Sequence, residues 1–399
     1  MGGSSKKKKK DAGKVRAESS ATEYEASVTS KKHPAAPAWL VIGIATAIIA
    51  VAVPFIFGPS HDEFLAKQRK LSSSSRSSAT SSSSPVQHLT NPRDVAREAA
   101  KQPCRNKDTD NARCHNFAAR GECTRNPGWM YVFCAASCQA CELMDPKVRC
   151  NEERIGYTRR AAMEPGDLNS LFQHLPSRLP EYNISYLSMP PLGPWIAQFD
   201  SFISDDEIEV LLSYSDGLKR STDQSNNFDA DGVQKQVTST SRTSTNAWCL
   251  RECAEDPVVK GVTDRIQRIT GIPEEYYENF QILRYERGQR YNRHHDMSDR
   301  DNAMLAGPRV LTFFIYLSEV DEGGGTNFPD LHPPVTMQPK KGSAILWPSV
   351  LDHDPTVRDE RTHHEALPVI SGVKFAANHW IHQYDYVTPS HWGCTGSFE

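Results

Sequence analysis

The residues best placed to do chemistry are His294-His295-Asp296 and, some 70 positions later, His364. Side chains alternate along a strand, so His294 and Asp296 would share one face while His295 points away. A neighbouring strand carrying His364 could then complete a set of three. Two imidazoles and one carboxylate leave three positions of an octahedral metal open, which suits non-haem Fe(II), whereas zinc would take a tetrahedral site. In a chain with 14 histidines a His-x-Asp triplet is weak evidence by itself, and the surrounding pattern has to support it.

That pattern is one of strands. From about Pro194 onward, short runs rich in aromatic and β-branched residues recur: Phe280 to Tyr285, Val310 to Leu317, Ser343 to Trp347 and Val373 to His382. Gly, Pro and Asp separate them, as in an antiparallel sandwich or barrel. One amphipathic helix precedes them, with Asp256-Pro257 as cap and first residue and Val258, Val262, Ile266 and Ile269 as its apolar stripe.

From Gln281 through His382 the chain resembles the prolyl 4-hydroxylase catalytic domain of the collagen, plant and algal type. The segments ILRYERGQRYNRHHD, RVLTFFIYLSEVDEGGGTNFP, PKKGSAILWP and HEALPVISGVKFAANHWIH stand in that family's order. The resemblance reaches back to Phe199 and takes in Arg242-Thr243-Ser244. It implies a mainly β fold with flanking helices, a double-stranded β-helix or jelly roll, over 194–388. It also implies His294, Asp296 and His364 as Fe(2+) ligands, and Lys374 as the cation for the far carboxylate of 2-oxoglutarate. Tyr285 would hydrogen-bond the same carboxylate, and Arg242, Arg309, Trp380 and His382 would belong to a substrate groove. His295 and His363 flank the proposed ligands. Strand alternation and the ten-residue spacing from His364 to Lys374 select between the neighbours.

The activity implied is that of a procollagen-proline 4-dioxygenase, with L-ascorbate as a supporting reductant and a proline-rich peptide or protein as substrate. Peptidyl-lysine hydroxylation is one alternative, although the lysyl enzymes resemble this pattern with Arg in place of Lys374. A catalytically silent binding protein is another, disfavoured because four polar or charged groups turned into a barrel are costly to keep. Gly323-Gly324-Gly325 lacks the Gly-Lys-Ser/Thr of a phosphate loop and reads as a tight turn.

Six of the ten cysteines, Cys104, Cys114, Cys123, Cys134, Cys138 and Cys141, crowd into 104–141. Such density belongs to an oxidising compartment, and no paired His accompanies it for zinc. The spacing resembles the ShK toxin-like (ShKT) domain, which implies Cys104–Cys141, Cys114–Cys134 and Cys123–Cys138. Cys249 with Cys253, and Cys150 with Cys394, are further candidate pairs.

Residues 1–37 read as a polar cytosolic tail of net charge +5, which leaves −8 for the rest of a chain of net charge −3 and gives no sign of nucleic-acid binding. Residues 38–57 are apolar over the length of a bilayer core and read as a transmembrane signal anchor. A Ser-rich stem, 58–103, follows, and 142–193 and 389–399 read as a linker and a tail. The expected placement is single-pass type II in the endoplasmic reticulum or Golgi, with the cysteines lumenal and Asn183-Ile184-Ser185 as a glycosylation sequon.

Overall fold

The computed structural model describes residues 104–228 and 234–395. The tail, anchor and stem expected within 1–103 lie outside them. Among the described residues no helix is long and apolar enough to cross a membrane.

Residues 104–141 form a small helical module. Asp110 caps the helix Asn111–Ala119 by accepting from the Arg113 amide, and Pro127 opens the helix Pro127–Phe133. Cys114, Met130 and Cys134 form its core cluster, too small for an independent core. Disulfides Cys104–Cys141, Cys114–Cys134 and Cys123–Cys138 substitute for one.

The remainder is mainly β. An eight-stranded sheet runs in the order Ile184–Ser188, Ile196–Phe199, Ala344–Pro348, Arg309–Tyr316, Lys374–His382, Gln281–Tyr285, Thr245–Trp248, Lys219–Arg220, and its pairings are antiparallel. A four-stranded sheet follows the order Val335–Met337, Thr326–Phe328, His364–Ala366, Tyr291–His294. Alternation along Arg309–Tyr316 divides the interior. Leu311, Phe313 and Ile315 join a core with the helices, while Phe314 and Tyr316 pack with Phe328 and Met337 of the smaller sheet. The space between the sheets is where the functional side chains converge.

The helix Pro257–Thr270 starts on Asp256, whose carboxylate accepts from the Val258 and Val259 amides, and stops at Gly271 with φ +74°. Val259 rather than Val258 faces the core, beside Val262, Ile266 and Ile269.

Two boundaries differ from expectation. Residues 142–193 are not a linker: the helix Asp167–Arg178 buries Leu168, Leu171, Phe172 and Leu175, and Ile184–Ser188 becomes an edge strand of the large sheet. Nor is the segment after 388 a free tail. Its helix Val387–His391 leads to Cys394, bonded to Cys150. The buried Arg149 guanidinium donates to the carbonyls of Leu143 (2.8 Å) and Trp392 (3.0 Å), and Tyr131 stacks on Trp392. The disulfide module and the end of the β domain are thereby joined. A second bridge, Cys249–Cys253, closes a short loop before the long helix.

Candidate active site

His294 ends the strand Tyr291–His294 and lies directly opposite His364 in the antiparallel pair. Asp296 follows in the bend beyond that strand rather than on it, yet returns to the same side. His294 Nε2 is 3.9 Å from one Asp296 oxygen and His364 Nε2 is 3.7 Å from the other. One ligand atom from each of the three falls within 4.8 Å of the others.

The donor set fits a divalent metal. Each imidazole donates Nδ1–H to a backbone carbonyl, His294 to Asn292 (2.8 Å) and His364 to Thr362 (3.0 Å), which leaves both Nε2 lone pairs free. Burial, with His364 alongside, drops the His294 pKa to about 3, so it is the neutral form a metal needs. Burial pushes the Asp296 carboxyl up, but His364, His294 and Arg309 outweigh it and hold its pKa near 2.

The flanking histidines stay outside the cluster: both ring nitrogens of His295 are bonded elsewhere, and His363 contributes no atom to it. His295 Nε2 meets the Asp359 carbonyl at 3.1 Å and Thr362 Oγ1 at 3.0 Å, while its Nδ1 accepts from the Met297 amide. His363 Nδ1 turns to the Glu360 carbonyl.

A cleft of ≈ 380 Å³ opens on the three residues, with Tyr285, Phe314, Trp347 and Arg242 among its walls. Lys374 is fully buried at the start of its strand, opposite Tyr285 in register. Its Nζ donates to the Gly324 carbonyl (2.7 Å) and lies 5.2–5.4 Å from the ring centroids of Tyr285, Phe314 and Tyr316. Among the described residues it has no ion pair to a carboxylate, and burial alone brings its pKa down to about 7. A buried cation without an anion is an incomplete site, and a ligand carboxylate would complete it. The glycine turn matters here, since Gly323 and Gly324 have φ of +80° and +68° and present that carbonyl to Lys374.

Residues 280–382 match the 2OG-Fe(II) oxygenase superfamily. A probable prolyl 4-hydroxylase 4 from Arabidopsis thaliana is 32% identical over 215 residues, covering 48% of this chain and 70% of that relative. The chain belongs to the prolyl 4-hydroxylase family. Rat prolyl 4-hydroxylase subunit alpha-1 is 33% identical over 195 residues, 48% of this chain but only 35% of that subunit. The crystal structure of a viral collagen prolyl hydroxylase from Paramecium bursaria Chlorella virus-1, with 2OG, aligns over 47% of this chain and 95% of its own at 28% identity and a TM-score of 0.37. As a 2OG-Fe(II) oxygenase the protein is a dioxygenase, with Fe(2+) and 2-oxoglutarate as the groups its site serves.

Other expected positions of this prolyl 4-hydroxylase are arranged differently from one another. Arg242 borders the cleft, donating to Gln281 Oε1 at 3.3 Å with its guanidinium over Tyr291. Arg309, Trp380 and His382 instead form an adjoining network around Glu278. Arg309 Nε donates to Glu278 Oε1 at 2.5 Å, its guanidinium stacks 3.9 Å over Trp380, and His382 Nε2 meets the same carboxylate at 2.8 Å. Glu278 is buried; Arg309 and His382 overcome that burial and hold its pKa near 2. Nothing in the sequence singles Glu278 out.

Thr312 was also missed, although it is the one aliphatic hydroxyl in the apolar run Val310 to Leu317. Fully buried, it donates to Asp296 Oδ2 at 2.6 Å, the sole side-chain hydrogen bond to any of the three residues among the described residues. Thr312→Val is expected to weaken Fe(II) binding about 10- to 100-fold, with Thr312→Ser close to the parent. Metal titration of the purified protein checks it.

Proposed function

We propose that the protein hydroxylates peptidyl proline at C4, with His294, Asp296 and His364 holding Fe(II) and Lys374 pairing with the far carboxylate of 2-oxoglutarate. The observation that carries this is the conjunction of a three-ligand cluster opening on a cleft with a buried, uncompensated lysine against Tyr285 and Phe314, two residues of that cleft's wall. Tyr285, whose hydroxyl burial keeps protonated with a pKa near 12, donates to the same carboxylate. When bound, iron and 2-oxoglutarate supply the oxidation: dioxygen places one atom in succinate as carbon dioxide leaves, and the other in a substrate C–H bond. The protein's part is to bind, orient and exclude water. Leu283, Phe314 and Trp347 provide the apolar wall, and the Nδ1 and Thr312 bonds hold the ligands in one orientation.

The rest of the reading follows from sequence. The substrate is a proline-rich peptide or protein, L-ascorbate rescues iron oxidised in uncoupled turnovers, and 104–141 is a ShKT module. One anchor over 38–57 holds the enzyme as a type II protein of the endoplasmic reticulum or Golgi. Asn183 is exposed, as a glycan acceptor must be.

The test is succinate release by the detergent-solubilised full chain given Fe(II), ascorbate, 2-oxoglutarate and proline-rich peptides. One oxygen gained on proline is expected, and lost in His294→Ala. Oxygen mapped to lysine, or no peptide-dependent turnover, would refute the proposal.

A further inference from the structure

Between the strands Gln234–Thr238 and Thr245–Trp248 the chain passes through 239–244 without regular strand pairing. Single bonds fasten this segment along the strand that ends in His294. The Thr243 amide donates to the Arg290 carbonyl (2.8 Å) and the Asn292 amide to the Ser241 carbonyl (2.9 Å), which sets Arg242 opposite Tyr291. Among the described residues the Ser239 and Arg242 carbonyls receive no backbone donor, and the Ser244 carbonyl receives one, from Ser221. Such carbonyls need partners.

Arg220 supplies them. It belongs to the edge strand Lys219–Arg220 and stands opposite Thr245. Its Nη1 donates to the Ser244 carbonyl at 2.6 Å and, at a longer 3.4 Å, to that of Arg242, while Nη2 donates to the Ser239 carbonyl at 3.0 Å. Among the described residues these carbonyls are its side chain's only partners. The guanidinium therefore acts as a rigid fork of donors and not as half of an ion pair.

The segment held this way carries Arg242 to the active-site cleft. The Arg242 guanidinium lies 5.3 Å over the Tyr291 ring, and Tyr291 stacks on His294 at 3.5 Å. Arg220 itself is no part of the cleft wall.

We infer that Arg220 is a positioning residue: by tying the two ends of 239–244 together it sets where the Arg242 side chain stands for the peptide substrate, a role that rests on the cleft being the proline site. Lysine could not replace it fully, because an ammonium is a point donor and the outer carbonyls are five residues apart.

The test compares Arg220→Met, Arg220→Lys, Arg242→Ala and the combination of Arg220→Met with Arg242→Ala in the detergent-solubilised full chain. Arg220 is exposed, so Arg220→Met leaves the core untouched. Amide hydrogen exchange, read without iron or turnover, is expected to quicken roughly fivefold or more at Thr243 and Asn292 in Arg220→Met, while the Ile282 amide within the large sheet keeps the parent rate. The KM for a proline-rich peptide should rise about tenfold, partly recovered in Arg220→Lys, with kcat, iron content and the KM for 2-oxoglutarate at parent values. Once Arg242→Ala is present, adding Arg220→Met should change the peptide KM by less than about twofold, since the side chain it places is gone. Unchanged exchange, equal rises in both KM values, additive effects of the two substitutions, or a parent-like peptide KM in Arg242→Ala would each overturn the inference. Faster exchange with no turnover of any peptide would instead refute the hydroxylase reading and uphold the clamp on 239–244.

Discussion

Lys374→Ala is expected to raise the KM for 2-oxoglutarate roughly 10²- to 10³-fold, the equivalent of about 3–4 kcal/mol, while Fe(II) binding stays intact. The size follows from burial. Lys374 is fully inside, and among the described residues its one acceptor is the Gly324 carbonyl and no carboxylate competes for it. Removing the amine would leave a carboxylate desolvated and unpaired against Tyr285, Phe314 and Tyr316. The same geometry sets a pH dependence. Burial brings the Lys374 pKa to about 7 without ligand, and a bound carboxylate favours the ammonium form, so binding takes up a proton above that pH. Affinity should be flat below pH about 7 and fall by up to about tenfold per unit above it. Titrations across this range in parent and variant check both claims, and a parent with no slope would refute the linkage.

The second large effect separates neighbours. His294→Ala is expected to lose Fe(II) retention and turnover by well over the 10- to 100-fold typical of an outer partner, whereas His295→Ala keeps its iron and loses stability. His294 presents a free Nε2 to the cluster, while both His295 nitrogens are already bonded to the Asp359 carbonyl, Thr362 and the Met297 amide. Removing His295 leaves the Met297 amide unsatisfied, about 1–3 kcal/mol, while the Asp359 carbonyl keeps its bonds from Thr362. Iron content after desalting, with thermal melts, distinguishes the outcomes. Metal lost from His295→Ala and kept by His294→Ala would reverse the assignment.

These contrasts show where sequence was informative. The expectation that His294 and Asp296 share one side holds, although Asp296 sits in a bend and not on the strand, and the four apolar runs around them are strands. The helix at Asp256 was legible because cap and stripe are local signals, although the stripe begins at Val259. The helix Asp167–Arg178 went unread inside the expected linker although Leu168, Leu171, Phe172 and Leu175 repeat at helical spacing, because its Pro176 and polar surroundings obscured the pattern. Glu278 was hidden, because its partners Arg309 and His382 lie 31 and 104 positions away and only pairing of the strands unites them. Arg220 was hidden likewise, as an exposed arginine looks like any other until its neighbours are known.

The Cys150–Cys394 bond, spanning 244 positions, has a mechanical consequence. It closes the β domain into a covalent ring whose two exits meet at a single point. Tension applied to the chain on either side of that bond would run through the sulfur–sulfur link and bypass the strands that carry His294, His364 and Lys374. A single proteolytic cut within the ring would likewise leave both pieces attached. The catalytic machinery hangs from the chain as a closed loop, shielded from loads that the chain itself transmits.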